Sequence, residues 1–344
     1  MGLPPRHEPV PSPRMIAWEL TRACNLACRH CRAAATSCTP PGELTTQEAL
    51  TLLDHIASFA QPTIILTGGE PLLRPDLFDI ARHASLRGLR TVAATNGSLL
   101  DHSAARRLAG AGVRRISVSL DGSDASAHDA LRAVPGAFDA ALRGIAAARD
   151  AALPFQINTT ITSDNAAQLP AIHDLAIRLG AAAHHVFLLV PTGRAAALRG
   201  IELDAARYEA VLQWLADRFT TSPIEIRATC APHFYRILRQ RGIPTQARGC
   251  LAGQSFCFIS HTGDVQPCGY FDSPCGNIRR QSLRDIWADA PLFRDLRDHS
   301  AYGGKCGACD FLRVCGGCRA RAYEATGDPL GPEPLCAYQP QPPA

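Results

Sequence analysis

The chain has 344 residues, 46% of them hydrophobic and 19% charged, with a formal net charge of +4. That is enough for one large core and a small second domain, while the mild charge and 6% aromatic content exclude an extended nucleic-acid surface of basic and stacking residues. Residues 1–13 are proline-rich without an apolar core of signal-peptide length, and no apolar run could cross a bilayer, so a cytoplasmic protein with reduced thiols and no membrane partner is expected.

Apolar and β-branched runs at 15–20, 63–66, 91–94, 115–120, 155–161 and 184–190 predict six strands. Segments with helical spacing at 45–59, 75–87, 103–111, 137–151 and 167–179 predict the helices between them. Right-handed crossovers joining such units produce an α/β fold, a partial (β/α)6 barrel whose site gathers at the carboxyl ends of its strands. After residue 250 the alternation stops and cysteine and glycine become dense. The expected organisation is a flexible segment at 1–13, a barrel at 14–222, a connecting segment at 223–249 and a cysteine-rich domain at 250–340.

The motifs fall where that barrel needs them. Strand one is followed by Cys24, Cys28 and Cys31 in a C-x3-C-x2-C triplet. Three soft thiolates on one loop can hold three irons of a 4Fe-4S cube and leave the fourth open to a small molecule; zinc is the alternative for an isolated cluster of this kind, and disulfides would need an exported chain. Strand two leads into Gly68, Gly69, Glu70 and Pro71, strand three into Asn96 and Gly97, and strand four into Ser119, Asp121 and Gly122. The glycines allow close backbone approach to a ligand, and Glu70 offers a carboxylate to an ammonium group, although each motif alone reads as a turn.

Taken together in this order, the motifs resemble the radical S-adenosylmethionine (SAM) superfamily. The resemblance implies that SAM chelates the open iron and is cleaved to a 5'-deoxyadenosyl radical. It implies that the Gly68–Pro71 motif receives the methionyl amine, with Asn96 beside it. Ser119 and Arg132 are then candidates for the SAM carboxylate, and Asn158 or the backbone from Leu189 to Pro191 for ribose and adenine. Arg132 reads equally well as a solvated helix residue.

Eight further cysteines, Cys250, Cys257, Cys268, Cys306, Cys309, Cys315, Cys318 and Cys336, can ligate two more cubes. They resemble the SPASM extension of radical SAM enzymes, with two residues between Cys315 and Cys318 where that pattern has three. The resemblance assigns Cys250, Cys257, Cys268 and Cys318 to a first auxiliary 4Fe-4S cluster and Cys306, Cys309, Cys315 and Cys336 to a second, leaving Cys38, Cys230 and Cys275 over. Zinc at Cys306, Cys309, Cys315 and Cys318 is the structural alternative.

Residues 228–241, 249–261 and 314–328 resemble the tetrapyrrole-modifying members of that superfamily, the haem b synthase family of the sirohaem-dependent pathway in particular. This implies oxidative decarboxylation of two propionates of iron-coproporphyrin III to vinyl groups, with electrons delivered by a flavodoxin or ferredoxin. A haem d1 or didecarboxysirohaem step, or SPASM-type oxidative peptide maturation, are the alternatives, and a non-catalytic iron-sulfur carrier is a third class. A tetracarboxylate needs cations, and Arg236, Arg239, Arg241 and Arg248 of the connecting segment are expected to supply them or to form a solvated helix face. Cys230, His233, Tyr235 and His261 are candidates to ligate or flank the porphyrin iron.

Overall fold

The computed structural model describes residues 10–198, 200–245 and 249–340. Arg248, one of the four arginines expected near the substrate, lies outside the described residues.

Seven parallel strands form the centre of the molecule. They are β1 (Met15–Glu19), β2 (Thr63–Thr67), β3 (Arg90–Thr95), β4 (Val113–Ser119), β5 (Phe155–Ile161), β6 (Ala183–Leu188) and β7 (Glu225–Thr229), each hydrogen-bonded to the next. Their side chains alternate between a fully buried face and a half-open one, as in Phe155–Ile161, where Phe155, Ile157, Thr159 and Ile161 are buried and Gln156, Asn158 and Thr160 are not. The buried face packs on the crossover helices α1 (Thr46–Phe59), α2 (Leu77–Leu86), α3 (His102–Gly110), α5 (Ala137–Asp150) and α6 (Leu169–Leu179), in a core that includes Ile16, Trp18, Leu53, Leu66, Ile80, Ile116 and Ile157. The other face lines the inside of the curve. A short α4 (Ala125–Arg132) precedes α5.

Local sequence explains the helix ends. Thr45 and Glu48 form a reciprocal capping box at the start of α1, satisfying backbone donors that the helix leaves open. Gly180 ends α6 in the left-handed conformation that glycine adopts freely.

Two features differ from the sequence expectation. A seventh parallel strand, β7, follows α7 (Ala205–Arg218) and extends the sheet beyond six. The change in composition at residue 250 also does not interrupt the sheet: β8 (Phe256–Ile259) pairs in parallel with β1, and β9 (Asp264–Gln266) and β10 (Gly276–Asn277) continue from it. The strand order is β10-β9-β8-β1-β2-β3-β4-β5-β6-β7, and no pairing joins its two ends among the described residues. The cysteine-rich chain continues through α9 (Leu283–Asp289), α10 (Pro291–Arg297), α11 (Gly304–Gly307) and α12 (Arg319–Thr326). α8 (His233–Gln240) packs on α7.

Candidate functional site

Cys24, Cys28 and Cys31 lie on the loop leaving β1, and all three sulfurs accept hydrogen bonds. The Leu26 amide reaches Cys24 Sγ at 3.4 Å, Arg132 Nη1 reaches Cys28 Sγ at 3.6 Å and the Ala35 amide reaches Cys31 Sγ at 3.5 Å. Donors aimed at sulfur stabilise thiolates and suit metal ligation. Burial, with smaller contributions from Glu70 and the two neighbouring thiols, pushes the metal-free Cys24 thiol up to about 11. Arg194 braces the loop from the far side, through Nε to Cys28 O and Nη1 to Ala35 O, both at 2.7 Å.

The glycine motif serves this loop more directly than the sequence suggests. Gly69 donates to Thr21 O and Glu70 to Ala23 O at 2.7 and 2.8 Å. A Cβ on Gly69 would lie 2.4 Å from Ala23 O, and one on Gly68 would lie 2.6 Å from Thr21 O. The close approach that glycine permits is therefore to the cysteine loop's own backbone. Glu70 is fully buried and its carboxylate accepts from the Leu72 and Asn96 amides and the Thr95 hydroxyl. Burial raises its pKa against these three donors. Glu70 thus ties β2 to β3, where the sequence suggested a carboxylate open to an ammonium group. Buried Pro71 starts the 3-10 turn that Glu70 caps. Asn96 is buried between Asn25 Oδ1, at 2.9 Å, and Cys24 Sγ, at 3.9 Å.

Arg132 is buried rather than solvated: Nη2 is 2.6 Å from Asp121 Oδ2 while Nη1 faces Cys28. Burial opposes ionisation of Asp121, but Arg132 and His30 outweigh it and keep its pKa below the usual carboxylate value. Ser119 and Asn158 are register partners, and the same row continues through His185 on β6 to Arg227 on β7. All four occupy half-open or exposed positions of the inner face. Gln156 binds both Asn158 Oδ1 and His185 Nδ1, at 2.9 and 3.0 Å. Leu189 lies just beyond β6, its carbonyl held at 2.9 Å by Arg321 Nη2.

Cys306, Cys309, Cys315 and Cys336 line one cavity with His233, Arg236 and Tyr338. Amides again point at sulfur, from Glu333 to Cys306, Phe311 to Cys309 and Gly317 to Cys315, each at 3.4 Å. Arg319 Nη2 adds a charged donor 3.5 Å from Cys306 Sγ. Cys250, Cys268 and Cys318 gather in another cluster with Val190, Ala252, Phe271 and Ala320. Cys257 is not with them. It sits on β8, fully buried in the main core, where register pairs it with Ile16. The thiol that joins the other three is Cys230, just after β7. Among the described residues no three His, Cys, Asp or Glu side chains close around a point as a single ion requires; a four-iron cube holds its thiolates farther apart.

The residues expected around the porphyrin are dispersed. His233 is buried with Nδ1 3.2 Å from Tyr208 Oη and Nε2 3.8 Å from Glu333 Oε2, beside the Cys306 cavity. Burial lowers its pKa to about 4, so it is neutral. Arg236 lines that cavity too, paired with Glu209 at 2.5 Å. Tyr235 is half-buried beside Arg227. Arg239 is exposed and Arg241 pairs with Asp217 at the surface. His261 is buried against Glu19, Nδ1 to Oε1 at 3.0 Å. α8 presents its apolar residues to α7, which leaves Arg239 and Arg241 at the surface and Arg236 buried beside the Cys306 cavity. Arg227 and Arg115, unremarked in the sequence, are the inward-side cations of β7 and β4. Their alternation with Ile226 and Ile116 was the available signal.

Residues 18–176 match the radical SAM superfamily, and residues 250–310 match an iron-sulfur cluster-binding domain called SPASM. The chain is 49% identical to the AdoMet-dependent heme synthase of Nitratidesulfovibrio vulgaris over 96% of its length and 94% of that protein's. It is 50% identical to the AdoMet-dependent heme synthase of Methanosarcina barkeri, over 96% and 97%. Its fold is similar to Streptococcus suis SuiB bound to S-adenosylmethionine, with a TM-score of 0.76 and 19% identity over 95% of this chain and 78% of that one.

Proposed function

The chain belongs to the radical SAM enzymes that carry a SPASM iron-sulfur domain, and from that premise we propose that it decarboxylates two propionates of iron-coproporphyrin III to vinyl groups, producing haem b. The observation that carries this reading is near full-length identity of about half to proteins named AdoMet-dependent heme synthase.

When bound, SAM on an open-iron cube supplies a deoxyadenosyl radical and the auxiliary clusters supply electron acceptors. Each propionate loses one hydrogen atom, then carbon dioxide and one electron, and closes a carbon–carbon double bond. The protein's own task is positioning and water exclusion. Cys24, Cys28 and Cys31 would hold the radical-generating cluster, with Arg132 and Asn96 donating toward the Cys28 and Cys24 thiol sulfurs. Gly68, Gly69, Glu70 and Pro71 fix that loop and would receive the methionyl amine. Ser119 would meet the SAM carboxylate, and Asn158 and the Leu189 backbone the nucleoside. Arg227, next along the Ser119–Asn158–His185 row and ion-paired with Glu225, would meet a propionate carboxylate, a role suited to a planar guanidinium. Cys306, Cys309, Cys315 and Cys336 hold an auxiliary cluster. A flavodoxin or ferredoxin supplies the reducing electron, and the cytoplasm supplies the reduced thiols.

The test is an anaerobic reaction of reconstituted protein with SAM, a strong reductant and iron-coproporphyrin III, read by mass spectrometry. Two successive losses of the elements of formic acid, matched to 5'-deoxyadenosine, are expected. Deoxyadenosine formation with an unchanged porphyrin would overturn the substrate assignment and turn the search to sirohaem derivatives and peptides.

A further inference from the structure

We propose that Cys230, not Cys257, is the fourth thiolate of the auxiliary cluster held by Cys250, Cys268 and Cys318. The proposal rests on the auxiliary-cluster reading above and concerns which residue completes it.

Four separate segments bring these thiols together. Cys230 follows β7 directly, Cys250 precedes β8, Cys268 lies two residues beyond β9, and Cys318 caps α12. They pack in one apolar cluster with Val190, Ala252, Phe271 and Ala320. Four converging thiols from four segments need a shared reason to be there, and a cube supplies one: each thiolate takes one iron corner.

The backbone of Cys230 argues the same way. Its φ is +57°, a left-handed conformation that is unfavourable for a side-chain-bearing residue. The surroundings hold it there: Arg321 Nη2 and Tyr208 Oη both donate to Cys230 O, at 3.1 and 3.3 Å. Arg321 is itself buried and paired with Glu333 at 3.1 Å, and Glu333 accepts from the Cys318 amide at 2.9 Å. One buried network therefore fixes the backbone at two of the four thiols. Strain maintained by dedicated donors is typical of functional positions.

Cys257 has the opposite environment. Its neighbour Phe258 stacks under Arg32 at 4.6 Å and closes on Gly269, beside Cys268. Successive residues of a strand point to opposite faces, so Cys257 is turned away from that side and into the core shared by Ile16, Trp287 and Phe293. It packs there as a small apolar side chain.

The test uses the full chain with Cys24, Cys28 and Cys31 replaced by alanine, so that iron reports the auxiliary clusters alone. Cys230→Ala, Cys230→Ser and Cys257→Ala are added singly, and anaerobically reconstituted proteins are compared for iron and sulfide per chain and for the electron paramagnetic resonance of the reduced clusters. Cys257→Ala is expected to keep the parent's iron and spectrum. Cys230→Ala is expected to lose one to four irons, and Cys230→Ser to keep the fold but shift one cluster's signal as oxygen replaces sulfur. An unchanged spectrum in Cys230→Ser, or iron loss confined to Cys257→Ala, overturns the proposal. A parent that binds no iron overturns the auxiliary-cluster reading itself, and the proposal with it.

Discussion

Glu19, at the end of β1, is fully buried among three cationic or polar partners: Arg22 Nε at 2.8 Å, Arg32 Nη2 at 2.7 Å and His261 Nδ1 at 3.0 Å. Burial opposes its charge, yet His261, Arg32 and Arg22 outweigh that and bring its pKa from 4.5 to about 2. The depression is worth about 3 kcal/mol of folding stability, since a pKa unit corresponds to roughly 1.4 kcal/mol. Because the folded pKa is the lower one, this contribution is complete above about pH 4.5 and disappears as pH falls toward 2. Glu19→Gln is therefore expected to lower the denaturation midpoint strongly at pH 7 and much less at pH 3; equal effects at both values would refute the account. Gly69 makes a second single-residue prediction. Gly69→Ala sets a Cβ against Ala23 O, a backbone atom that cannot rotate away, and so displaces the cysteine loop. A displacement near 1 Å at a reacting group costs up to roughly a hundredfold in rate. Deoxyadenosine formation is expected to fall accordingly, with auxiliary iron unchanged.

At the scale of elements, β7 and α8 divide the arginines into two groups with different consequences. Arg227 alternates with buried Ile226 and Ala228 and so stands on the inner side of the barrel, where it pairs with Glu225; Arg241, just after α8, pairs with Asp217 on the outer flank. Arg227→Ala is expected to raise KM for the porphyrin roughly tenfold or more, the loss of one charge-assisted hydrogen bond. Arg241→Ala should leave KM unchanged and cost under about 1 kcal/mol, as exposed ion pairs do. Steady-state kinetics of the two variants separates the assignments, and equal KM effects would sink this one. The contrast also shows why the sequence was only partly readable. Strands β1 to β6 carry long apolar or β-branched runs and were legible. β7 has five residues and places Glu225 and Arg227 on its inner side, so a polar lumen made it look like a connection. α8 was visible as a run of arginines, but which face it buries depends on α7, and no local pattern reports that. The cysteine spacings named the three groups, whereas the choice between Cys230 and Cys257 depends on strand direction and tertiary placement.

At the scale of the whole molecule, the cysteine-rich region is built into the barrel. β8 adds to β1 over four register positions, from Met15 with Phe256 to Trp18 with Ile259. Ile286, Trp287 and Phe293 complete the same core as Ile16 and Trp18. Arg32, next to Cys31, donates to Gly269 O at 2.9 Å, next to Cys268, so one side chain spans the loops of two cysteine groups. This continuity makes the relative position of the groups a property of the sheet, which matters for electron transfer between them. It also predicts what truncation does. A chain ending at residue 249 would leave β1 as an open edge with unpaired amides and carbonyls and would expose the apolar surface that α9 and α10 cover. It is expected to aggregate or to bind a hydrophobic dye strongly and to lack a cooperative thermal transition, even with Cys24, Cys28 and Cys31 intact. Size-exclusion chromatography and calorimetry check this directly, and a soluble, cooperatively melting monomer of residues 1–249 would show that the barrel folds without its cysteine-rich extension.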